Sequence, residues 1–334
     1  MVSRLDAPPR TAHPSGVAPR ASGGSFRVAT APARDVARFG TSQSTRERLL
    51  RFEWPSPVLR FMDWMGGFMG FTRKRVEVVP GLWLDDTRRT ADGSLARVLL
   101  IDPRQVKVEA GFYDGKTGVP PSAIRQIPGM LAAVNATFFG MGQGEATYGD
   151  LVGLGKAVLD EDNPNRGYDQ ISDRRWSLAS LEDGSLRFVK GGLVESGLAR
   201  QDVKGFIGGL GRLFGPEEAS RLERDVETGA FRARLDRGVA DRSFPNVDLE
   251  SSIARTFVGL DAQGRLLAVT LGEGSYRGAG GNMAEGALLL KRLGAVEAYA
   301  LDGGGSSHML VPGKAETRTD GRLVKSYLVV RSAT

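Results

Sequence analysis

Residues 293–312, LGAVEAYALDGGGSSHMLVP, constrain this chain more than any other stretch. Val296, Ala298 and Ala300 alternate with Glu297 and Tyr299, and Leu301 then leads into Asp302. That period of two predicts a short strand ending in a carboxylate. Gly303, Gly304 and Gly305 follow, then Ser306, Ser307 and His308, then a second apolar run from Met309 to Val311. Consecutive glycines suit neither strand nor helix; what they offer is backbone freedom and the space a Cβ would fill. At a strand end they gather amide N–H groups, two hydroxyls and a carboxylate, a turn suited to receiving an anion. The alternative is a glycine-rich hairpin loop with no ligand.

The chain has 334 residues, 41% hydrophobic and 25% charged, which suits one large soluble domain or two ordinary ones. It contains no cysteine, which excludes disulfides, thiolate zinc sites and cysteine nucleophiles. A formal charge of +6 spread over a folded surface would point to nucleic acid. Residues 1–51, however, carry nine arginines against Asp6, Asp35 and Glu47, which accounts for the whole excess. The remainder is neutral, and no nucleic-acid partner is expected.

Residues 1–44 are rich in Pro, Ala, Ser, Gly and Arg with no apolar period, and read as a disordered basic tail. The tail lacks the continuous apolar core of a secretory signal. Residues 45–75 are the aromatic-richest part and form an amphipathic helical segment, too short and too charged to span a bilayer. It is expected to pack on the main domain or, helped by Arg73, Lys74 and Arg75, to touch a membrane surface peripherally.

From 76 to 332 the pattern is that of a single large domain. VEVVPGLWL, LARVLLIDP and VKVEAGFYD read as strands, and Leu131–Val134 as a buried strand ending at Asn135. A polar amide at the end of an apolar strand demands hydrogen-bond partners, structural or ligand. Hairpins are expected at Asp183-Gly184 and Gln263-Gly264. A variable insertion is expected at about 191–250, its charged part a solvated helix. GNMAEGALLLKRLGA reads as an amphipathic helix, and GRLVKSYLVVRS as a final strand with Leu323 and Tyr327–Val330 apolar. The fold class is α+β, a mixed and mainly antiparallel sheet core with packed helices.

Several chemistries are weakened by residue count. Only His13 and His308 exist, so histidine-based transition-metal sites are nearly excluded. A Ser306–His308–Asp302 triad would crowd three members into seven residues, and no G-x-S-x-G elbow is present. GGGSS lacks the lysine of a phosphate loop. No cofactor is expected, although a hard cation such as calcium on Asp302, Asp150 or Glu273 fits the residue types. What remains is a polar set at strand ends: Asn135, Asp150, Arg255, Glu273, Glu285, Asp302, Ser306, Ser307 and Arg322. Carboxylates, arginine and an amide-rich loop suit an anionic sugar derivative.

The order of AVNATFFG, a glycine-flanked Lys156 strand, ARTFVGLDAQGRLL, GNMAEGALLLKRLGAVEAYALDGGGSS and GRLVKSYLVV resembles the phosphodiester glycosidase family over roughly 77–332. That family includes enzymes of N-acetylglucosamine-1-phosphodiesters and bacterial relatives associated with exopolysaccharide. LDGGGSS is its most specific part, supported by Arg255-Thr256, Glu285 and Asn135 with Phe139. The chain departs from the family at Ala254, where Pro is usual, at Ala136-Thr137, where Gly-Gly is usual, and at Ser326, where Asn is usual.

The resemblance implies hydrolysis of the bond between sugar C1 and the phosphodiester oxygen. It implies Asp302, Glu285 and Asn135 as catalytic, with Asp302 and Glu285 the two carboxylates and Asn135 orienting the sugar. It further implies Arg255, Thr256, Gly303, Gly304, Gly305, Ser306, Ser307, Phe139 and Arg322 as substrate-binding. The partner would be a sugar phosphate or polysaccharide, and the family's habit is extracytoplasmic. Two alternatives remain open: a non-catalytic envelope or polysaccharide binder on the same fold, and a phosphodiesterase cleaving P–O. No sequence feature sets an oligomeric state.

Overall fold

A computed structural model describes residues 76–89, 94–140, 145–159, 174–272, 280–317 and 320–333. The tail at 1–44, the segment at 45–75 and Glu273 lie outside the described residues. β1 (Val76–Val79) and β2 (Leu82–Arg89) form a hairpin through Gly81, at φ +85°, so VEVVPGLWL is two strands rather than one. β3 (Leu95–Ile101) and β4 (Val106–Phe112) follow, then the short helix α1 (Pro121–Arg125) and β5 (Met130–Asn135). β6 (Leu151–Gly153) pairs with β7 (Lys156–Val158), and β8 (Trp176–Leu181) with β9 (Leu186–Lys190) through the expected turn at Gly184.

β10 (Val203–Phe214) lies inside the stretch expected as an insertion, yet it pairs with β6, β8 and the later strand β13 (Ala295–Ala300) and is integral to the larger sheet. Its glycines break the period of two that would have announced it. The charged region after it forms three helices, α2 (Pro216–Ala219), α3 (Leu222–Glu227) and α4 (Ala230–Ala240), not one solvated helix. Leu222, Phe231 and Leu235 on them are buried.

β11 (Arg255–Asp261) and β12 (Leu266–Leu271) make the second expected hairpin. Helix α5 (Met283–Arg292) then returns the chain to β13 (Ala295–Ala300). β14 (Met309–Val311), β15 (Ala315–Glu316) and β16 (Ser326–Ser332) complete the order. Leu323 stands before β16, exposed, rather than in it.

The strands form an 11-stranded sheet with the path β1-β2-β3-β12-β11-β13-β10-β6-β7, plus β8 and β9 attached through β10, and a five-stranded sheet β15-β14-β5-β16-β4. Every strand pairing among the described residues is antiparallel, and the fold is α+β as expected. Alternation sorts side chains to faces. Val258, Tyr299, Leu301, Leu328 and Val330 fill the core between the sheets. Phe257, Ala298 and Ala300 face Met283, Ala287 and Leu288 of α5 on the outer side of the larger sheet.

Near β4 the sheets meet backbone to backbone. A Cβ on Gly153 would sit 2.5 Å from Ala110 N, and one on Gly205 2.5 Å from Val108 O. Any larger residue would force the layers apart there.

Candidate active site

The chain changes sheets at Asp302. Leu301 N still bonds Thr256 O of β11, at 2.9 Å, whereas Asp302 N bonds Ala136 O just beyond β5, at 2.9 Å. Asp302 therefore sits where the ends of β5, β11 and β13 converge. Gly304 takes φ +61° and opens a 3₁₀ turn over Gly304–Ser306, a conformation that favours glycine.

The turn spends most of its amides inside the protein. Gly303 N bonds Asp302 Oδ1 at 2.9 Å, Gly304 N bonds Ala254 O at 2.6 Å, and Ser306 N and Ser307 N bond Gly303 O and Gly304 O. His308 N bonds Asn135 Oδ1 at 2.9 Å. The glycine corner is thus not the ring of open donors that its composition suggests.

Asn135 is fully buried, and its side chain is committed. Nδ2 donates to Asp302 O at 2.6 Å, and Oδ1 accepts from Thr256 Oγ1 at 2.7 Å as well as from His308 N. It is placed to hold Asp302 rather than to greet a sugar. Thr256, also buried, serves the same amide.

Asp302 itself is half-buried. Burial pushes its carboxyl up to about 6, opposed by the Ser306 hydroxyl, the Gly303 N–H and the positive charge of Arg322. Ser306 Oγ acts on the carboxyl without closing a hydrogen bond of ordinary geometry, and Ser307 Oγ is likewise buried and unpaired. The residue as a whole is half-buried, and desolvation is the main influence on its carboxyl.

Arg322 comes to this corner paired with Asp320. Nε lies 3.1 Å from Oδ1 and Nη2 2.7 Å from Oδ2. Asp320 escaped the sequence reasoning because a D-G-R turn looks like any polar loop. Phe139 is half-buried, bridged to Thr147, with Lys325 Nζ 6.0 Å from its ring centre.

Two further expected site residues face inward. Arg255 is buried, its Nε donating to Gly281 O at 3.3 Å and its Nη2 to Ser251 O at 3.0 Å. It braces two loop carbonyls under the corner and does not present an open guanidinium. Glu285 caps α5: its Oε2 accepts from Asn282 N at 2.8 Å while Asn282 Oδ1 accepts from Glu285 N at 2.9 Å. Asp150 is buried too, accepting from Leu193 N at 2.6 Å.

The Ser-His-Asp arrangement does not assemble. The His308 ring lies 3.3 Å from Tyr327 OH and 3.4 Å from Glu316 Oε1, and Glu316 in turn pairs with Arg125 at 2.5 Å. Burial holds the imidazole below its usual pKa. Among the described residues no three His, Asp or Glu side chains gather as a metal-binding group.

The family model described as phosphodiester glycosidase matches residues 128–331, from just before β5 into β16. The chain belongs to the phosphodiester glycosidase family. Its fold is similar to that of the zebrafish N-acetylglucosamine-1-phosphodiester alpha-N-acetylglucosaminidase catalytic domain, solved auto-inhibited by its pro-peptide. That likeness has a TM-score of 0.53 and 19% identity, covering 78% of this chain and 86% of that one. A hypothetical protein from Synechocystis is similar at a TM-score of 0.54 and 13% identity, over 78% of this chain and 63% of its own. At such identities the likeness is one of fold. No curated protein matches the chain. Family membership points to a glycosidase-type hydrolase, and in this member Asp302 stands at the matched strand end.

Proposed function

We propose that the chain hydrolyses the C1–O bond of a sugar-1-phosphodiester of the N-acetylglucosamine-1-phosphodiester kind, free or within a polysaccharide. The observation that carries this is Asp302: a half-buried acid at the meeting of three strand ends, its carboxyl raised to about 6 by burial, with Arg322 acting on it. At pH 7 such a group is about 90% ionised yet basic enough to take a proton from water. Water then attacks C1 as the C1–O bond breaks, and Asp302 receives the water's proton. The phosphate monoester leaves as an anion that needs no proton, so a strong general acid matters less than in ordinary glycosides. Arg322 receives that anion. Asn135 and Thr256 position Asp302, while Arg255 and Glu285 shape the loops beneath the corner.

Released sugar from UDP-N-acetylglucosamine and simple α-N-acetylglucosamine-1-phosphate diesters tests the reading. Hydrolysis in ¹⁸O-water should put the label on the sugar; label on the phosphate would mean P–O cleavage instead. Asp302→Asn should fold and release no sugar. Full activity in that variant would remove Asp302 from the mechanism.

A further inference from the structure

Asp320 puts a carboxylate on the glycine corner itself. A Cβ on Gly305 would fall inside the contact radius of Asp320 Oδ2 and 2.5 Å from Arg322 Nη2, so any side chain here would push the pair off the place it holds. Asp320 N also reaches Gly305 O, at 3.4 Å. The guanidinium meets both carboxylate oxygens, the two-pronged geometry that arginine also uses on phosphate. Asp320 and Arg322 side chains remain 34% and 27% exposed, so the pair has room to open towards solvent.

We propose that the seat formed by Gly305 and Arg322 is an oxyanion site whose resident occupant is the Asp320 carboxylate, and that a phosphate group takes the seat by displacing Asp320 from Arg322. The identity of that phosphate as the substrate's diester rests on the function proposed above; the exchange itself needs only these three residues. Asp320 is tethered to Arg322 through Gly321 alone, so it competes at high effective concentration. Small anions offering charge and nothing else are held only weakly. A ligand that also places a sugar against Asp302 brings the additional contacts needed to win the seat.

Calorimetric titration of the full chain with inorganic phosphate tests this. Asp320→Asn and Asp320→Ser, each checked for folding by thermal unfolding, should bind phosphate about three- to fivefold more tightly than wild type, the scale of an exposed ion pair. Arg322→Gln should lose the binding. Equal affinity in wild type and both Asp320 variants overturns the exchange, as does undiminished binding in Arg322→Gln. Sugar release is measured in parallel. Tighter phosphate binding without any hydrolysis would remove the proposed reaction and leave the exchange standing, and hydrolysis with unchanged phosphate affinity would do the reverse.

Discussion

The side-chain amide of Asn135 donates to the main-chain carbonyl of Asp302 at 2.6 Å, joining the end of β5 to the second residue after β13. The orientation of that amide is unambiguous. Asp302 O can only accept and His308 N–H can only donate, so Nδ2 must face the first and Oδ1 the second. Asn135→Asp would set an oxygen against a carbonyl, and Asn135→Ala would orphan three buried groups. Either should cost about 2–4 kcal/mol of unfolding free energy, read by urea denaturation. Thr256→Val, which removes one donor, should cost about 1 kcal/mol. A loss in the Asn135 variants no larger than that of Thr256→Val would show that the amide is not a clamp.

Asp302 should make the protein less stable as pH rises. Its folded pKa, about 6, lies above its ordinary value of 3.8, so its favourable contribution is complete below pH 3.8 and is lost as pH rises through 6. Asp302→Asn should therefore be more stable than wild type at pH 7.5, by about 1–3 kcal/mol, with the gain vanishing near pH 4. Thermal unfolding at the two pH values reads this out; a gain of equal size at both would mean the carboxyl is not perturbed. Sugar release, which needs the ionised form, should fall on the acid side with a midpoint near 6.

Arg255 should matter for stability rather than for affinity. Lysine cannot reach both Gly281 O and Ser251 O from the same position. Arg255→Lys should lower stability by about 1–3 kcal/mol, while the KM for a phosphodiester substrate stays within about twofold, since a change in affinity alone would register as 1.4 kcal/mol per tenfold. A tenfold rise in KM with unchanged stability would return Arg255 to the substrate.

Gly153→Ala should be among the costlier single-methyl additions in the chain. The added Cβ meets the backbone of Ala110, which cannot rotate away as a side chain would. A loss of about 1–3 kcal/mol is expected. Gly264→Ala has open space around the Cβ and pays only for φ +73°, so it should cost about 1 kcal/mol. Comparable melting temperatures for the two variants would argue against close contact between the sheets.

Features encoded locally were legible in the sequence. Alternation before Asp302, the amide ending β5 and the glycine turns at 184 and 264 each depend on neighbouring residues, and each was found where expected. Arg255 and Glu285 show the limit of residue type. Both are groups suited to chemistry, but burial in one case and a helix start in the other turn them inward, and neither is visible along a single chain. β10 was obscured because its four glycines, all buried, interrupt the alternation that would have marked a strand. Asp320 was missed because its importance comes from Gly305, fifteen positions earlier, and nothing in the turn itself signals that pairing.

The position of β16 between β5 and β4 has a consequence for how the protein comes into being. Ser326, which opens that strand, supplies the carbonyl for Ala136 N and the hydroxyl for Thr137 N, beside Asn135. A ribosome delivers β4 and β5 about two hundred residues before their shared neighbour. Until it arrives, the smaller sheet has a gap between β5 and its edge strand β4, and the loop after β5 lacks its anchor. Nascent chains should therefore be catalytically silent through most of their synthesis and gain competence in one late step, as long-range pairing closes the gap.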